Sequence, residues 1–430
     1  PWCIAGFGDN PTIIDVLMVN PYQGVDFGTQ AGGQRTGRHF IRNLFGQPLR
    51  TGIYINGCLD IGRIENVHFW PFWMDDSYTS KYGEAFVFGK ADWHYVFNTF
   101  TYGYNVGYKF IQTSDGVCNG NFLGIGADGS HTAILVEQCS PLGLLITNGE
   151  FSSFSGDSPN EVVTGPDFTG TIQFQNCAFW GSAKNIGFLQ GNGAVSFQNC
   201  NFVRWSYHEA PQPALDVWGG ELSVVGCRFR TTGPQLHLRE DVKQAVVTGN
   251  LSRAPELIVN ESLGQVVLNS NVHAEFPQEE KHAVVVDNAM MEGSCIQGAF
   301  EGGAGWKMYA GGGSYLGSTA WAPAGQGEFT ATWKPSLKRS GKYEVFVWYG
   351  DEKAEAKNAT NAEFAVTHSE RSWISWIQTT SKVTVDMSDN NRRWVSLGTW
   401  RFQRNIAAQV QLTNEADGRV LADAVKFVRQ

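Results

Sequence analysis

The 430-residue chain has little charge and no long apolar run. Charged residues make up only 17% of it, the formal net charge is −9, and no segment is rich in lysine and arginine. These features argue against nucleic acid or an anionic membrane surface as a partner. No apolar stretch approaches the roughly 20 residues of a membrane-spanning helix, so no membrane span is expected. The opening segment, PWCIAGFGDN, shows no signal-peptide pattern, so it does not reveal where the protein resides.

The cysteines do not form the pattern of a disulfide framework. The chain has eight, but Cys177, Cys200 and Cys227 occupy the same place in successive repeats. A column of small, buried thiols explains this spacing better than pairwise bridges do.

Glycine and aromatic residues are abundant instead. The chain has 50 Gly, 15 Trp and 13 Tyr, and 13% of its residues are aromatic. This composition favours an all-β protein with many tight turns and argues against disorder or a coiled coil. Because aromatic rings stack on sugar faces, we expect a polysaccharide or oligosaccharide partner.

One ten-residue pattern occurs three times. GTIQFQNCAF, GAVSFQNCNF and GELSVVGCRF begin at Gly170, Gly193 and Gly220. Apolar and polar residues alternate, then one residue breaks the alternation before a second short strand begins. The break falls on an asparagine in the first two copies, and the same register extends to other segments. We predict a column of asparagines that satisfies backbone groups at this bend, with these members: Asn66, Asn148, Asn176 and Asn199.

A second strand type lies between these segments, as in GVDF, GIYI, GYKF, ALDV and QLHL. The two strand types alternate along a repeat of about 21 to 31 residues that has no helical periodicity. This pattern predicts a parallel β-helix of about ten coils, stacked about 4.8 Å apart. Asp26, Tyr54 and Lys109 are expected to share one outward column of the second strand type.

The fold class is therefore all-β: a right-handed parallel β-helix followed by an antiparallel β-sandwich. We assign residues 1–273 to the β-helix, 274–282 to a linker and 283–430 to the sandwich, whose alternating strands include YEVFVWY and VLADAVKFV. Because the strand pattern is already under way by Thr12, we expect that further coils precede this chain.

The first 270 or so residues resemble the pectate-lyase-like β-helix superfamily, and within it bacterial proteins related to glycoside hydrolase family 28. The resemblance lies in GIYINGCLDIGRIENVHFWPFW and VCNGNFLGIGAD. The last 145 or so are similar to the sandwich domain at the end of golvesin and xanthan lyase, through YEVFVWY, WVSLGTW and VLADAVKFV. The resemblance implies a secreted or cell-surface bacterial carbohydrate-active enzyme. The chain departs from the polygalacturonase motifs, of which only MDD at 74–76 has a counterpart.

A long aromatic insertion interrupts the coils at HFWPFWMDDSYTSKYGEAF. It either forms a glycan subsite or seals the side of the β-helix. The next coil supplies ADWHYVF, which we expect close to the same loop. Glu150 is expected in one outward column with His68 and Asn121.

Glycoside hydrolysis requires two carboxyl groups about 5–5.5 Å apart for retention or about 6.5–9.5 Å apart for inversion. Neighbouring coils of a β-helix supply such separations. We therefore predict catalysis by paired carboxylates from adjacent coils: Asp75 or Asp76 with Asp92, Asp115 or Glu150. The predicted substrate-binding residues are Tyr54, His68, Trp70, Trp73, Trp93, His94 and Lys109.

The leading hypothesis is a polysaccharide-hydrolysing enzyme. A polysaccharide lyase, with Lys109 as base or clamp, is the first alternative, and a non-catalytic glycan-binding or adhesion solenoid is the second. No cofactor is predicted, although Asp287 and Asp423 could bind a structural calcium ion.

Overall fold

The computed structural model describes residues 1–28, 35–207, 211–274, 283–292, 297–310, 313–350 and 357–430. Within these ranges the chain is almost entirely β-strand, with a single four-residue helix at Thr79–Tyr82. That helix is far too short to cross a membrane, and no helix of the described residues meets the length and hydropathy that a span requires.

The first part of the chain is a parallel β-helix, as the repeats predict. Sheet 1 has eleven parallel strands, which follow each other coil by coil. They are Trp2–Ala5, Gln23–Phe27, Thr51–Ile55, Glu84–Phe88, Val106–Phe110, Thr132–Val136, Asn160–Thr164, Asn185–Leu189, Leu215–Val217, Leu236–Leu238 and Ile258–Asn260.

Sheet 2 has sixteen strands, because the bend divides five of its coils into two strands. They are Thr12–Met18, Phe40–Gly46, Arg63–Phe69, Ala91–Tyr102, Cys118–Ser130, Leu144–Thr147, Glu150–Ser153, Thr171–Gln175, Ala178–Phe179, Ala194–Gln198, Asn201–Phe202, Gly220–Val225, Arg228–Phe229, Val242–Thr248, Leu251–Ser252 and Gln265–Asn269. A small parallel pair, Gly8–Asp9 with Thr36–Gly37, lies beside them.

The remaining strands are antiparallel and form three sheets. The four-stranded sheet is Ala283–Asp287, Ala424–Arg429, Gly341–Trp348 and Val395–Phe402. The five-stranded sheet is Gly298–Gly302, Thr330–Pro335, Gln409–Thr413, Ala362–Arg371 and Trp376–Val385. The three-stranded sheet is Lys307–Ala310, Ser318–Ala322 and Val420–Ala422. The domain boundaries given above remain a prediction, and most of the expected linker lies outside the described residues.

Alternation along the strands builds the β-helix core. Phe174 and Phe197 are neighbours in register, and their rings stack at 5.0 Å with an interplanar angle of 8°. The predicted thiol column lies in the same core: Cys177, Cys200 and Cys227 are all buried and unbridged. Each of the three thiols contacts a backbone carbonyl oxygen of the preceding coil, so the column is part of the packing.

The bend of sheet 2 depends on a left-handed backbone conformation. The predicted asparagines all have positive φ, from 50° at Asn66 to 56° at Asn148, and glycines take the same place in other coils, such as Gly124 and Gly226. Asparagine and glycine enter this region at the lowest cost. In the first coils the side chains of this column also hydrogen-bond to one another, since Asn66 Nδ2 donates to Asn43 Oδ1 at 2.8 Å.

The sandwich contacts the last coils of the β-helix. Leu257 is fully buried and belongs to the hydrophobic cluster of the sandwich, with Val286 and Met290. Gly317 of the sandwich lies against the side chain of Thr232. These contacts join the sandwich to the coils near the end of the β-helix, whereas the last strand of sheet 2, Gln265–Asn269, stays largely exposed.

The bend provides a test of the fold. Asn176→Val should lower the free energy of unfolding by about 1–2 kcal/mol, because a β-branched residue resists the left-handed conformation. Asn176→Gly should remain close to wild type. Urea denaturation followed by circular dichroism measures both, with Gln175→Val on the exposed strand face as control. Equal losses for the valine and glycine variants at position 176 would contradict a left-handed bend.

Candidate functional site

The predicted site residues divide between two corners of the coils. One corner follows the ends of the sheet 2 strands Arg63–Phe69 and Ala91–Tyr102 and includes the aromatic insertion. The other corner lies where sheet 1 strands end and sheet 2 strands begin. Asp92 lies there, since its N–H donates to Cys58 O at 3.0 Å. Trp93 N donates to Asn119 Oδ1 at 3.1 Å in the same corner. The expectation that Asp92 and Trp93 approach the aromatic loop is therefore wrong.

Asp115 also lies in this second corner. Its carboxylate pairs with Arg35 at 3.1 Å and accepts a hydrogen bond from Asn56 Nδ2 at 2.9 Å. These contacts hold the loops of the corner together. The structure does not bring Asp115 together with Asp75 or Asp76, the carboxylates with which it was expected to pair.

His94 lies inside the β-helix, where a substrate cannot reach it. It is 0% exposed, and its Nε2 lies 3.4 Å from Nε2 of His39, which is buried as well. Burial lowers the pKa of His39 to about 3, and burial together with the neighbouring His39 lowers the pKa of His94. The two imidazoles are therefore neutral core residues, which corrects the prediction that His94 binds substrate.

Tyr54 and Lys109 share one outward column with Asp26, as predicted, through the register of sheet 1. Tyr54 is only 6% exposed and packs beside Trp2. Lys109 Nζ lies 3.1 Å from Glu84 Oε1 and 3.3 Å from Glu137 Oε1. Burial acts to lower the pKa of Lys109, but the two glutamates outweigh it and raise that pKa. Lys109 therefore stays protonated, which makes it unsuitable as a general base.

The first corner contains an exposed aromatic wall. Trp70 is 38% exposed, and its ring lies 4.5 Å from that of Tyr102 on the next coil. His68 packs edge-on against Phe100 at 5.2 Å, and burial lowers its pKa. Trp73 is also exposed and packs beside Phe72, at 5.3 Å, further along the insertion.

The insertion is anchored to the coils. Gln47 is buried, and its Nε2 donates to the backbone oxygens of Met74 and Asp75. Thr79 Oγ1 donates to Gly103 O at 2.6 Å. These bonds fix the loop in one position against the neighbouring coil.

The two aspartates of the insertion have different surroundings. Asp75 is exposed and caps its own turn, because Ser77 N and Ser77 Oγ both donate to Oδ1, which lowers the pKa of Asp75. Asp76 packs against Gly103: a Cβ atom at Gly103 would lie 2.7 Å from Asp76 Cβ. Asp76 thus lies against the coil that carries Tyr102, whereas Asp75 caps its own turn.

A third acid in this corner, Asp128, was not predicted from the sequence. Asp128 is the register partner of Tyr102 on the next coil. Burial, Asp76 and Asp128 raise the pKa of Tyr102, in that order, so both acids contribute negative charge to its surroundings. The segment VCNGNFLGIGAD contained a signal for this residue. When Gly124 is aligned with the asparagine at the bend of the preceding coil, Asp128 becomes the register partner of Tyr102.

Glu150 belongs to the same corner. It shares a column with His68 through Phe100 and Gly126, as predicted, whereas Asn121 lies before the bend and does not belong to that column. Since Gly126 pairs with Glu150 and Asp128 with Ser152, Asp128 and Glu150 are diagonal neighbours on adjacent coils. Diagonal neighbours in a β-sheet lie about 7–8 Å apart.

On the coil that follows Glu150, Trp180 extends the aromatic wall, and its Nε1 donates to Glu150 Oε1 at 3.1 Å. The corner therefore combines three acids, Asp76, Asp128 and Glu150, with the rings of Trp70, Tyr102 and Trp180. We call this set the acidic corner.

The calcium prediction involves two buried acids of the sandwich. Asp287 Oδ1 accepts from Ala289 N at 2.9 Å, and Asp423 accepts from Tyr315 N and Thr319 Oγ1. Burial raises the pKa of Asp287 to about 7, and burial and the neighbouring Asp287 raise that of Asp423. Among the residues that the structure describes, no cluster of three or more His, Cys, Asp or Glu could hold a metal ion, so calcium remains a prediction.

Comparisons with known proteins identify the C-terminal segment. Residues 284–429 match the family described as the Golvesin C-terminal domain, which confirms the resemblance given above. The chain is 30% identical over 160 residues to a xanthan lyase of Bacillus sp. (strain GL1). That match covers 35% of this chain but only 15% of the lyase, so the chain spans a small part of that relative's length.

Solved structures give weaker similarities. Xanthan lyase of Paenibacillus is 26% identical over 35% of this chain and 13% of its own, with a TM-score of 0.29. The CBM22-1–GH10 modules of Clostridium thermocellum xylanase 10B are 14% identical over 31% of this chain and 26% of their own, with a TM-score of 0.21. Tailspike protein 4 of bacteriophage CBA120 is 10% identical over 97% of this chain and 64% of its own, with a TM-score of 0.18.

The buried histidines predict an acid-sensitive β-helix. Because folding lowers the pKa of both imidazoles below the ordinary value of 6.5, the unfolded chain binds more protons in acid. Stability should therefore fall as the pH drops below about 6.5. The melting temperature of His39→Leu should fall less between pH 7 and pH 5 than that of wild type. His131→Leu, a partly exposed histidine on another coil, is the control. A pH dependence in His39→Leu equal to that of wild type would contradict the buried pair.

Proposed function

We propose that the chain is part of a polysaccharide-cleaving enzyme and that the acidic corner is its active site. The observation that carries the proposal is the placement of Asp76, Asp128 and Glu150 beside the exposed ring of Trp70 and the half-buried rings of Tyr102 and Trp180. Aromatic rings bind sugar faces, and paired carboxyl groups perform acid–base chemistry at a glycosidic bond. The similarity to xanthan lyase and to the Golvesin C-terminal domain supports a polysaccharide substrate.

Hydrolysis is the reaction that this geometry favours. Asp128 and Glu150 are diagonal neighbours on adjacent coils, and the backbones of such neighbours lie about 7–8 Å apart. Side chains placed in this way can reach the carboxyl separation of about 6.5–9.5 Å that inverting glycosidases use. That spacing leaves room for a water molecule between one carboxyl group and the sugar.

Each carboxyl group has a distinct role in this mechanism. Asp128 is partly exposed and its Oδ1 is buried, so we assign it as the proton donor to the leaving oxygen. Glu150 is exposed and oriented by Trp180 Nε1, so we assign it as the base that activates water. Asp76 and the Tyr102 hydroxyl then bind sugar hydroxyl groups.

Elimination is the second candidate, because the named relatives of known reaction include xanthan lyases. A lyase must neutralise a uronate carboxylate and provide a base. The acidic corner presents carboxylates next to Tyr102, which would repel a uronate, and Lys109 is held by Glu84 and Glu137. These charges favour hydrolysis over elimination.

A non-catalytic glycan-binding solenoid would use the same aromatic wall without bond cleavage. Secretion or display at the cell surface accords with a polymeric substrate, and we propose this location for the protein.

The proposal predicts loss of turnover without loss of folding. Asp128→Asn and Glu150→Gln should each lower kcat by about 10²- to 10⁴-fold, as expected when a general acid or base is removed. Reducing-sugar release from a polysaccharide panel measures turnover, and the melting temperature reports folding. Asp75→Asn is the matched control, because Asp75 only caps its turn.

The products distinguish the alternatives. New reducing ends without absorbance near the ultraviolet edge indicate hydrolysis, and unsaturated product that absorbs there indicates elimination. Binding without either product would leave the adhesion role. Unchanged turnover in both the Asp128 and Glu150 variants would exclude the acidic corner as the active site.

A further inference from the structure

The positive charges of this chain are concentrated in the sandwich. Residues 283–430 contain 16 lysines and arginines against 15 aspartates and glutamates, whereas residues 1–282 contain 16 against 26. The negative charge of the whole chain therefore belongs to the β-helix. Several of the sandwich cations gather around the segment 336–340, which joins Thr330–Pro335 of the five-stranded sheet to Gly341–Trp348 of the four-stranded sheet.

A cleft lies beside this segment. Its volume is about 310 Å³, which is within the range of about 300–1,000 Å³ that ligand pockets occupy. Lys338, Arg339 and Arg429 line it, and the other described lining residues, Tyr343 and Gln297 among them, are uncharged. Three cations thus border one cleft to which the described residues contribute no acid. We call it the basic cleft.

The wall of the basic cleft is held by hydrogen bonds. Tyr343 is 3% exposed, and its hydroxyl donates to Arg339 O at 2.6 Å. Arg429 is the register partner of Tyr343 on the neighbouring strand, and its Nη2 donates to Ser340 O at 3.3 Å. A Cβ atom at Gly341 would lie 2.8 Å from Arg429 Nε, so the glycine leaves room for this side chain. These contacts hold the backbone at Arg339 and the side chain of Arg429 beside the same tyrosine.

The described residues do not neutralise these cations. Lys338 and Arg339 are exposed, and neither side chain forms an ion pair within the described part of the chain. Burial raises the pKa of Tyr343, and Arg429 and Arg339 oppose this effect, so both guanidinium groups contribute positive charge to its surroundings. Positive charges that border one cleft without an acid between them attract an anion.

A larger groove adjoins the basic cleft. Its volume is about 840 Å³, and it shares Ser336 and Lys338 with the cleft. Arg404 adds a further cation, whereas Lys334, which also lines the groove, pairs with Glu301. The remaining described lining residues are uncharged, and several carry amide or hydroxyl groups. A strongly positive position followed by mostly uncharged, polar ones fits a chain of sugar residues better than a single small anion.

We propose that the basic cleft binds an acidic sugar residue of a polysaccharide through Lys338, Arg339 and Arg429. Guanidinium groups match the two oxygens of a carboxylate and the oxygens of a sulfate, so either substituent fits the site. The acidic β-helix would repel an extended polyanion such as a nucleic acid or an anionic membrane. An anionic unit within a largely uncharged glycan avoids that repulsion.

This site is separate from the acidic corner, because it lies on the sandwich and the corner lies on the β-helix. The two sites together specify the substrate: the corner would repel an anionic sugar, and the basic cleft attracts one. A polymer that carries both neutral and acidic units satisfies both. This last step rests on the proposed function, whereas binding at the basic cleft does not.

Isothermal titration calorimetry on the full chain tests the basic cleft. Tetragalacturonate is the carboxylate probe, a sulfated carrageenan tetrasaccharide is the sulfate probe, and β-1,4-galactotetraose is the neutral reference. At low salt, at least one acidic probe should bind about tenfold more tightly than the neutral tetrasaccharide, and added salt should weaken that complex. The acidic probe that binds more tightly identifies the anionic group.

The double variant Lys338→Gln/Arg339→Gln should lower the affinity for the acidic probe by at least about tenfold. Both side chains are exposed, so folding should be retained, and the melting temperature reports it. Arg392→Gln/Arg393→Gln is the matched control, because it removes two adjacent, exposed cations of the same sandwich. The control should leave the affinity nearly unchanged.

A labelling experiment requires no variant. Tetragalacturonate or the sulfated tetrasaccharide should protect Arg339 and Arg429 from modification by phenylglyoxal, as measured by mass spectrometry, and should leave Arg392 unprotected. If Lys338→Gln/Arg339→Gln did not fold, this protection would decide in its place.

Equal losses of affinity in the two double variants, or no binding of either acidic probe to wild type, would overturn the inference. So would a loss of binding to phosphatidylcholine–phosphatidylserine vesicles or to a single-stranded oligonucleotide in Lys338→Gln/Arg339→Gln, if its tetrasaccharide binding were unchanged. Acidic-probe binding in a protein that cleaves no glycan would support the basic cleft and refute the proposed function. Glycan cleavage without acidic-probe binding would do the reverse.

Discussion

The hydrogen-bonded register between coils determines most of this structure. Each coil of the β-helix pairs in parallel with the next, so every side chain lies above its counterpart about 4.8 Å away. A residue is therefore selected by its column as well as by its strand. Phe174 stacks on Phe197 in one column and Cys177 on Cys200 in another, while the asparagine column bends the chain. Reactive polar side chains occur where a column departs from its usual residue type. Both the acidic corner and the buried Glu161, which follows glycines and alanines in its column of sheet 1, are such departures.

Much of the fold could be predicted because the repeats contain the register directly. Alternation gives the inward and outward faces, and Asn176 and Asn199 mark the bend at which the alternation shifts by one residue. The thiol column and the shared column of Asp26, Tyr54 and Lys109 follow from the same spacing. The sandwich was predictable at the level of strand patterns and family resemblance. Its buried pair of acids, Asp287 and Asp423, comes together only through contacts distant in sequence.

The site was less predictable, for two physical reasons. Trp93 has a φ of 47°, and the strand register shifts between Ala91 and His94, so this irregularity places His94 in the core, although its position in the sequence next to the aromatic loop suggested otherwise. Asp92 lies at the start of a 12-residue strand whose far end carries Tyr102, a separation that proximity in sequence concealed. Asp128 was missed because its coil bends at Gly124, so the asparagine that marks other coils is absent.

The placement of acids also bears on how a solenoid can accommodate an active site. Each coil contacts only its neighbours, so the cost of an unfavourable residue remains local. The β-helix can therefore tolerate Glu161 in a column of small residues, and three carboxylates in one corner, without losing the stacked core on either side. The carboxylates of that corner would repel an anionic sugar beside Tyr102 more than a neutral one. The polar residues that the stacked core does not require are thus the residues on which the proposed active site depends.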